Sequence, residues 1–199
     1  MQQRALDTKK KILDCAIIEF SEKGLFGARI DKIAERAEVN KQRIYSYYIN
    51  KDGLFEAVLE HCFSEIAVYE EPLFDMGINE CKSLTSHLLQ IYFELHEKKP
   101  YIWKIIAWEN LMNTVHKNSF KNMKARLLEH LKEIYLHGQT IKVFKKEVSF
   151  STYLFTILSL SNFYFSNQKT LCHTLNRPFN TEKVRKQTIS EICTLLSTQ

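Results

Sequence analysis

The chain has 199 residues, of which 45% are hydrophobic and 26% charged, with a formal net charge of +5. This balance suits an ordinary globular protein with a sizeable core and excludes collagen-like, low-complexity and disordered classes. Five glycines and three prolines are few for the length and favour long helices over sheets and turns.

Residues 1–7 read as a frayed arm. Arg4 and Lys9 to Lys11 are either a loose basic terminus or a reach toward nucleic-acid backbone or minor groove. A first helix is expected from about Thr8 to Lys23, with Ile12, Leu13, Ala16, Ile17 and Phe20 on one face and Gly24 as its stop. A second follows Arg29, its apolar face made by Ile30, Ile33, Ala34 and Ala37 at i, i+3, i+4 and i+7.

After a turn, Val39-Asn40 reads as a helix start, with Asn40 as cap and Val39 stapled against Ile44. The same device recurs with Ile49, Asn50 and Leu54. Two starts so close confine the helix between them to roughly two turns at about 3.6 residues per turn. At about 100° per residue, Ile44 and Tyr48 point one way. Gln42 and Ser46 lie opposite, Arg43 and Tyr45 flank them, and Lys41 and Tyr47 sit at the borders. Two helices joined by a tight turn, the second short and polar outward, form the helix-turn-helix pattern, whose second helix enters the DNA major groove. Charge placement agrees: 11 Lys and Arg stand against 7 Asp and Glu through Lys51, and 17 against 16 thereafter. Phosphate binding calls for such an excess at the motif.

Residues Thr8 to about Leu59 resemble the DNA-binding domain of the TetR (tetracycline-repressor) family of bacterial transcription regulators. The matching segments are TKKKILDCAIIEFSEKG, IDKIAERAEVNKQRIYSYY and NKDGLFEAVL. The chain departs from the family at Arg29, where a capping, phosphate-contacting Thr or Ser is usual, and at Glu38, where the turn usually has Gly. Arg29 keeps a phosphate contact but cannot cap, and Glu38 carries a negative charge to the DNA side. Gln42 and Arg43 are the expected base readers, because Gln pairs bidentately with adenine and Arg with guanine. Tyr45 and Ser46 add contacts to a thymine methyl, base or phosphate. Lys41, Tyr47 and Lys51 hold the backbone, Lys51 beside a helix N-terminus.

A connector helix is expected at about 51–68, with Leu54, Val58, Cys62 and Ile66 in one line, ended by Glu70-Glu71-Pro72. Further helices end near Lys98 (Leu84, Leu88, Ile91 and Leu95 inward), start at Pro100 (YIWKIIAWENLM, apolar nearly all round and so central), and run from about Ser119 to Gly138 (Phe120, Met123, Leu127, Leu131 and Ile134 inward). GQTIKVFKKEVS resembles the family's link before its last two helices, here about 149–167 and 181–197. These last two are core or dimer interface on their residues alone, and the resemblance selects a homodimer interface, which places two heads on a near-palindromic operator. The expected architecture is all-α: a helix-turn-helix DNA-binding domain over residues 1–50, the connector, and a helical effector-binding and dimerisation domain over 69–199.

The resemblance implies a small-molecule effector cavity in the second domain. Its candidate lining is Tyr92, Phe93, His96, Trp103, Trp108, Glu109, Asn110, Phe155, Asn162 and Phe163, which are otherwise core residues or structural ion pairs. A mixed aromatic and polar wall suits a moderately apolar organic effector. The five cysteines form no CxxC pair and the histidines have no ligand spacing, so neither metal nor cofactor is expected. No GxSxG, GxGxxG or P-loop supports an enzyme using the cavity. The remaining alternative is a DNA-binding organiser acting through a protein partner. The apolar run Tyr153 to Phe165 is too short to span a bilayer and the N-terminus resembles no signal peptide, so a cytoplasmic bacterial protein is expected.

Overall fold

The computed structural model describes residues 2–112 and 119–198. The side chains of Gln2 and of residues 119–123 lie outside the described residues, and with them the expected core positions Phe120 and Met123. Among the described residues every regular element is helical: α1 (Gln2–Gly27), α2 (Ile30–Ala37), α3 (Lys41–Tyr48), α4 (Lys51–Glu70), α5 (Leu84–Lys98), α6 (Pro100–Met112), α7 (Ser119–Thr140), α8 (Phe150–Ser166), α9 (Gln168–Thr174) and α10 (Glu182–Leu196). Two short 3-10 turns, Glu71–Asp75 and Ile78–Ser83, lie between α4 and α5. No described helix is long and apolar enough to cross a membrane.

Contacts divide the chain into two compact units, Met1–Glu65 with Pro100–Ser119, and Ile66–Lys99 with Phe120–Gln199. In the first, α1 packs against α2, α3 and α6. Ile12, Ala16, Phe20, Ile33, Ile44, Leu54 and Phe55 are fully buried, and Phe20 meets Phe55 edge to face at 5.1 Å. Each of these side chains larger than that of Ala16 contributes roughly 1.5–3 kcal/mol when removed from water.

Residues 2–7 are helical and not a frayed arm. Gln3 Nε2 donates to Asp7 Oδ1 at 2.9 Å, Thr8 Oγ1 donates to the Arg4 carbonyl at 2.7 Å, and Tyr47 donates to the Ala5 carbonyl at 3.2 Å. Gly24 is non-helical (φ 65, ψ −177), so α1 is two helical runs that meet at a kink, and the first stops at the expected glycine. The break is tight, since a Cβ there would lie 2.8 Å from two atoms of the Trp108 ring on α6. α6 itself buries only Ile102 and Ile105, and Leu111 is exposed. Most of its other side chains are half-buried, so it is less enclosed than its composition suggests.

In the second unit α5 packs against α8 and α10. Its core is aromatic: Tyr135 lies 4.7 Å from Phe144 and 4.5 Å from Tyr153, and Phe93 lies 4.8 Å from Tyr164. The link between α7 and α8 is held by Gln139, which donates to the Lys145 carbonyl at 2.7 Å and the Val148 carbonyl at 2.8 Å, and by Tyr135, which donates to Val148 at 3.0 Å. Ser149 and Thr181 cap α8 and α10 through the backbone N–H groups of Thr152 and Val184. Leu127, Leu131 and Ile134 are buried on α7 as their spacing predicts. α9 is an element that periodicity does not announce, because none of its residues is buried.

Candidate nucleic-acid interface

α2 and α3 are joined by a Schellman turn. Glu38 adopts the left-handed conformation (φ 57, ψ 41). Its N–H donates to the Glu35 carbonyl at 3.1 Å, and that of Val39 to the Ala34 carbonyl at 3.0 Å. The Glu38 carboxylate is not an uncompensated charge, as Lys11 of α1 pairs with it. That contact holds the Glu38 carboxyl below the usual carboxylate range through its hydrogen bond to Lys11 and the lysine charge.

Asn40 accepts the Arg43 N–H at 2.7 Å and so caps α3. Asn50 does the same for α4, accepting the Gly53 N–H at 2.7 Å. The second staple does not form: Ile49 has φ 64 and is 85% exposed while Leu54 is fully buried. The turn between α3 and α4 is closed instead by backbone bonds from Ile49 to Tyr45 (2.9 Å) and from Asn50 to Tyr48 (2.6 Å). These turn Ile49 outward.

The faces of α3 divide as the angular spacing predicts. Ile44 and Tyr48 are buried, and Lys41, Gln42, Arg43, Tyr45 and Ser46 are exposed. Tyr48 donates to the Lys9 carbonyl at 3.1 Å, and burial pushes its phenol up to about 12. Tyr47 is half-buried, with the Arg43 guanidinium 5.1 Å from its ring centre. Ser46 donates to the Arg43 carbonyl at 2.8 Å. The two tyrosine hydroxyls thus fasten α3 to α1, and the polar side chains opposite remain available to a partner.

Arg29 precedes α2 with an exposed side chain and supplies no side-chain cap. Its backbone N–H instead donates to Glu19 Oε1 at 3.2 Å, and Glu19 Oε2 lies 3.9 Å from the Arg36 guanidinium. Glu19 is buried and orients α2 from α1. Its sequence signal is a charged residue in the Ile12, Ala16 stripe. Lys41 pairs with Asp31 of α2 at 2.5 Å, and Lys51 Nζ donates to the Phe26 carbonyl at 3.3 Å.

The ten effector-lining candidates fall in both units. Trp103, Trp108, Glu109 and Asn110 lie on α6 in the first unit, with Trp108 packed on Gly24 and Asn110 exposed. Tyr92, Phe93 and His96 are buried on α5, while Phe155 and Phe163 on α8 are 68% and 54% exposed and Asn162 is half-buried. Of these, Phe93 lines a cavity of about 650 Å³ between α5 and α10, with Gln90, Glu94, Arg185, Ile189 and Cys193.

His96 Nδ1 is buried with no hydrogen-bond partner among the described residues, and burial pushes the imidazole down to about 4. Tyr92 donates at 2.6 Å to Glu70 Oε1, which also lies 2.6 Å from Lys124 Nζ. Burial holds the Tyr92 phenol well above its ordinary value. Glu70 is 2% exposed. Its role follows from the line Leu54, Val58, Cys62, Ile66, which it continues at the next i+4 position.

A family model described as bacterial regulatory proteins, tetR family, matches residues 12–58, and one described as tetracyclin repressor-like, C-terminal domain, matches residues 84–196. The chain is 30% identical over 172 residues to the HTH-type transcriptional repressor NicS of Pseudomonas putida, covering 85% of this chain and 81% of that protein. It is 39% identical over 140 residues to IcaR of Staphylococcus epidermidis, a negative transcriptional regulator of the biofilm operon icaADBC, covering 68% and 69% respectively. The fold is shared with SCO4942 of Streptomyces coelicolor (TM-score 0.75, 19% identity, covering 96% of this chain and 98% of that one). It is also shared with the hemolysin II transcriptional regulator HlyIIR (TM-score 0.64, 22% identity, covering 98% and 99%). Both family models match, and NicS is 30% identical over most of both chains: the protein belongs to the TetR (tetracycline-repressor) family of bacterial DNA-binding transcription regulators.

Proposed function

We propose that this regulator is a repressor that binds a near-palindromic operator as a homodimer and is released by a small organic effector. The observation that carries the reading is α3: Gln42, Arg43, Tyr45 and Ser46 are exposed together on a helix capped by Asn40 and fastened from behind by Tyr48. Gln42 and Arg43 read base edges, and Tyr45 and Ser46 add contacts. Arg29, Lys41 and Lys51 hold phosphates, while the Tyr47 hydroxyl, expected to join them, is engaged by the Ala5 carbonyl.

Dimerisation through α8 and α10 is supported by the exposed Phe155, Leu158 and Phe163 on one helix and Leu195 on the other. A twofold pair sets its two reading helices about 34–36 Å apart, one turn of DNA. An effector site in the second unit is supported at the cavity that Phe93 lines. Both NicS and IcaR are named as negative regulators, which favours repression over activation.

Selection of bound duplexes from a random DNA pool, with the wild type and Gln42→Ala side by side, tests this. The wild type should recover a near-palindrome, and the variant should lose preference in each half-site. An unchanged preference in Gln42→Ala would place the base-reading surface elsewhere. Lys41→Ala should weaken binding to all sequences and lower the salt slope by about 0.9 per lost phosphate contact.

A further inference from the structure

Ile49 follows α3 in a conformation that isoleucine rarely adopts. Its φ of 64 and ψ of −57, with the Asn50 N–H donating across it to the Tyr48 carbonyl at 2.6 Å, make a γ-turn of the strained hand. A β-branched side chain at positive φ is an outlier, and glycine would hold the same turn without that cost. Burial offers no offset, because at 85% Ile49 has the highest exposure of any large apolar side chain among the described residues. Strain and exposure together on one apolar residue point to a partner outside the fold.

Its place says which partner. The Ile49 N–H still donates to the Tyr45 carbonyl at 2.9 Å, so its Cα keeps the register of α3. At about 100° per residue that position falls between those of Tyr45 and Gln42, on the side away from the buried Ile44 and Tyr48. Seven residues after Gln42, it lies about 10 Å further along the helix. Residues 39–51 hold Lys41, Arg43 and Lys51 and no Asp or Glu, which suits a polyanion.

We propose that Ile49 is a specificity residue that packs on the C5-methyl group of a thymine in the DNA major groove. The inference rests on the reading of α3 as the base-contacting helix. A hydrocarbon side chain neither gives nor accepts a hydrogen bond, and the thymine methyl is the one apolar group among the base-edge features of that groove. The thymine stands within about three base pairs of the base that Gln42 reads, since about 10 Å along the helix matches three steps of about 3.4 Å.

Uracil scanning decides it. Duplexes that the wild type selects from a random pool are remade with uracil for each thymine of one half-site, and fluorescence anisotropy follows their binding to the wild type, Ile49→Val and Ile49→Gly. One thymine, within about three base pairs of the position where Gln42→Ala loses preference, should respond. Uracil there should weaken the wild type about three- to fivefold, as one apolar carbon returned to water predicts. Ile49→Val should show a similar loss and Ile49→Gly none. The salt dependence of Ile49→Gly should stay that of the wild type, because no phosphate contact is removed. The ratio of thymine to uracil binding is taken within each variant, so a general weakening of Ile49→Gly does not enter it. Equal uracil effects in the wild type and Ile49→Gly would overturn the proposal and leave Gln42 and Arg43 as base readers, whereas a wild type that recovers no preferred sequence would overturn both. Unaltered binding of every duplex by Ile49→Gly would also overturn it and assign the exposed side chain to a partner other than DNA.

Discussion

Gly53, in the first turn of α4, approaches the carbonyl oxygen of Tyr48 so closely that a Cβ would lie 2.4 Å from it. The obstacle is backbone, and the same carbonyl accepts the Asn50 N–H that closes the turn between α3 and α4. The end of α3 and the start of α4 are therefore packed main chain against main chain. Gly53→Ala should cost about 1–3 kcal/mol in denaturant unfolding, as overpacking does where nothing flexible can yield. It should also weaken DNA binding at temperatures where the fold persists. A variant as stable as the wild type would show that the turn has room this geometry denies.

Asp31 holds Lys41 at 2.5 Å at the edge of the reading surface. Both side chains are exposed, so the pair adds little to stability, but it occupies a cation that the proposed function assigns to a phosphate and adds a negative charge beside it. Asp31→Asn should therefore tighten binding to operator and unrelated duplexes alike, by roughly two- to fivefold at low salt. Fluorescence anisotropy on both DNAs measures it, and equal or weaker binding would mean that Lys41 makes no phosphate contact.

Glu70 is buried, and one carboxylate oxygen serves both the Tyr92 hydroxyl and the Lys124 ammonium. Removing either charge breaks this ion pair where Glu70 is 2% exposed. Glu70→Gln and Lys124→Met should each destabilise by about 3 kcal/mol, and the double variant by clearly less than the sum. Additive losses in the double-mutant cycle would show that the two residues act independently.

His96 has its imidazole pushed down to about 4 by burial, against about 6.5 in an unfolded chain. Between these values the unfolded state takes up a proton that the folded state refuses. Its stabilising contribution is complete above about pH 6.5 and is lost as the pH falls to about 4, by on the order of 3 kcal/mol. Denaturant unfolding across that range should show the loss in the wild type and a smaller one in His96→Phe. Parallel profiles would assign the acid sensitivity to other groups.

The division of α3 into a buried Ile44–Tyr48 side and an exposed Gln42, Arg43, Tyr45, Ser46 side was legible in the sequence, because angular position on a short helix is a local property. So were the caps at Asn40 and Asn50, whose oxygens reach a backbone N–H only three residues on. The buried positions of α7 followed from spacing for the same reason. Tertiary structure decided the rest. Ile49 is exposed because the turn's backbone bonds outweighed its hydrophobicity, and Glu38 is compensated by Lys11, 27 residues earlier. Trp108, one of the effector-lining candidates under the family resemblance, packs on Gly24, and Glu70 meets a lysine 54 residues away. Glu19 and Glu70 each interrupt an apolar stripe, so the sequence marked both as unusual. Which partner each would meet depended on how distant helices pack, and periodicity along one helix carries no information about that.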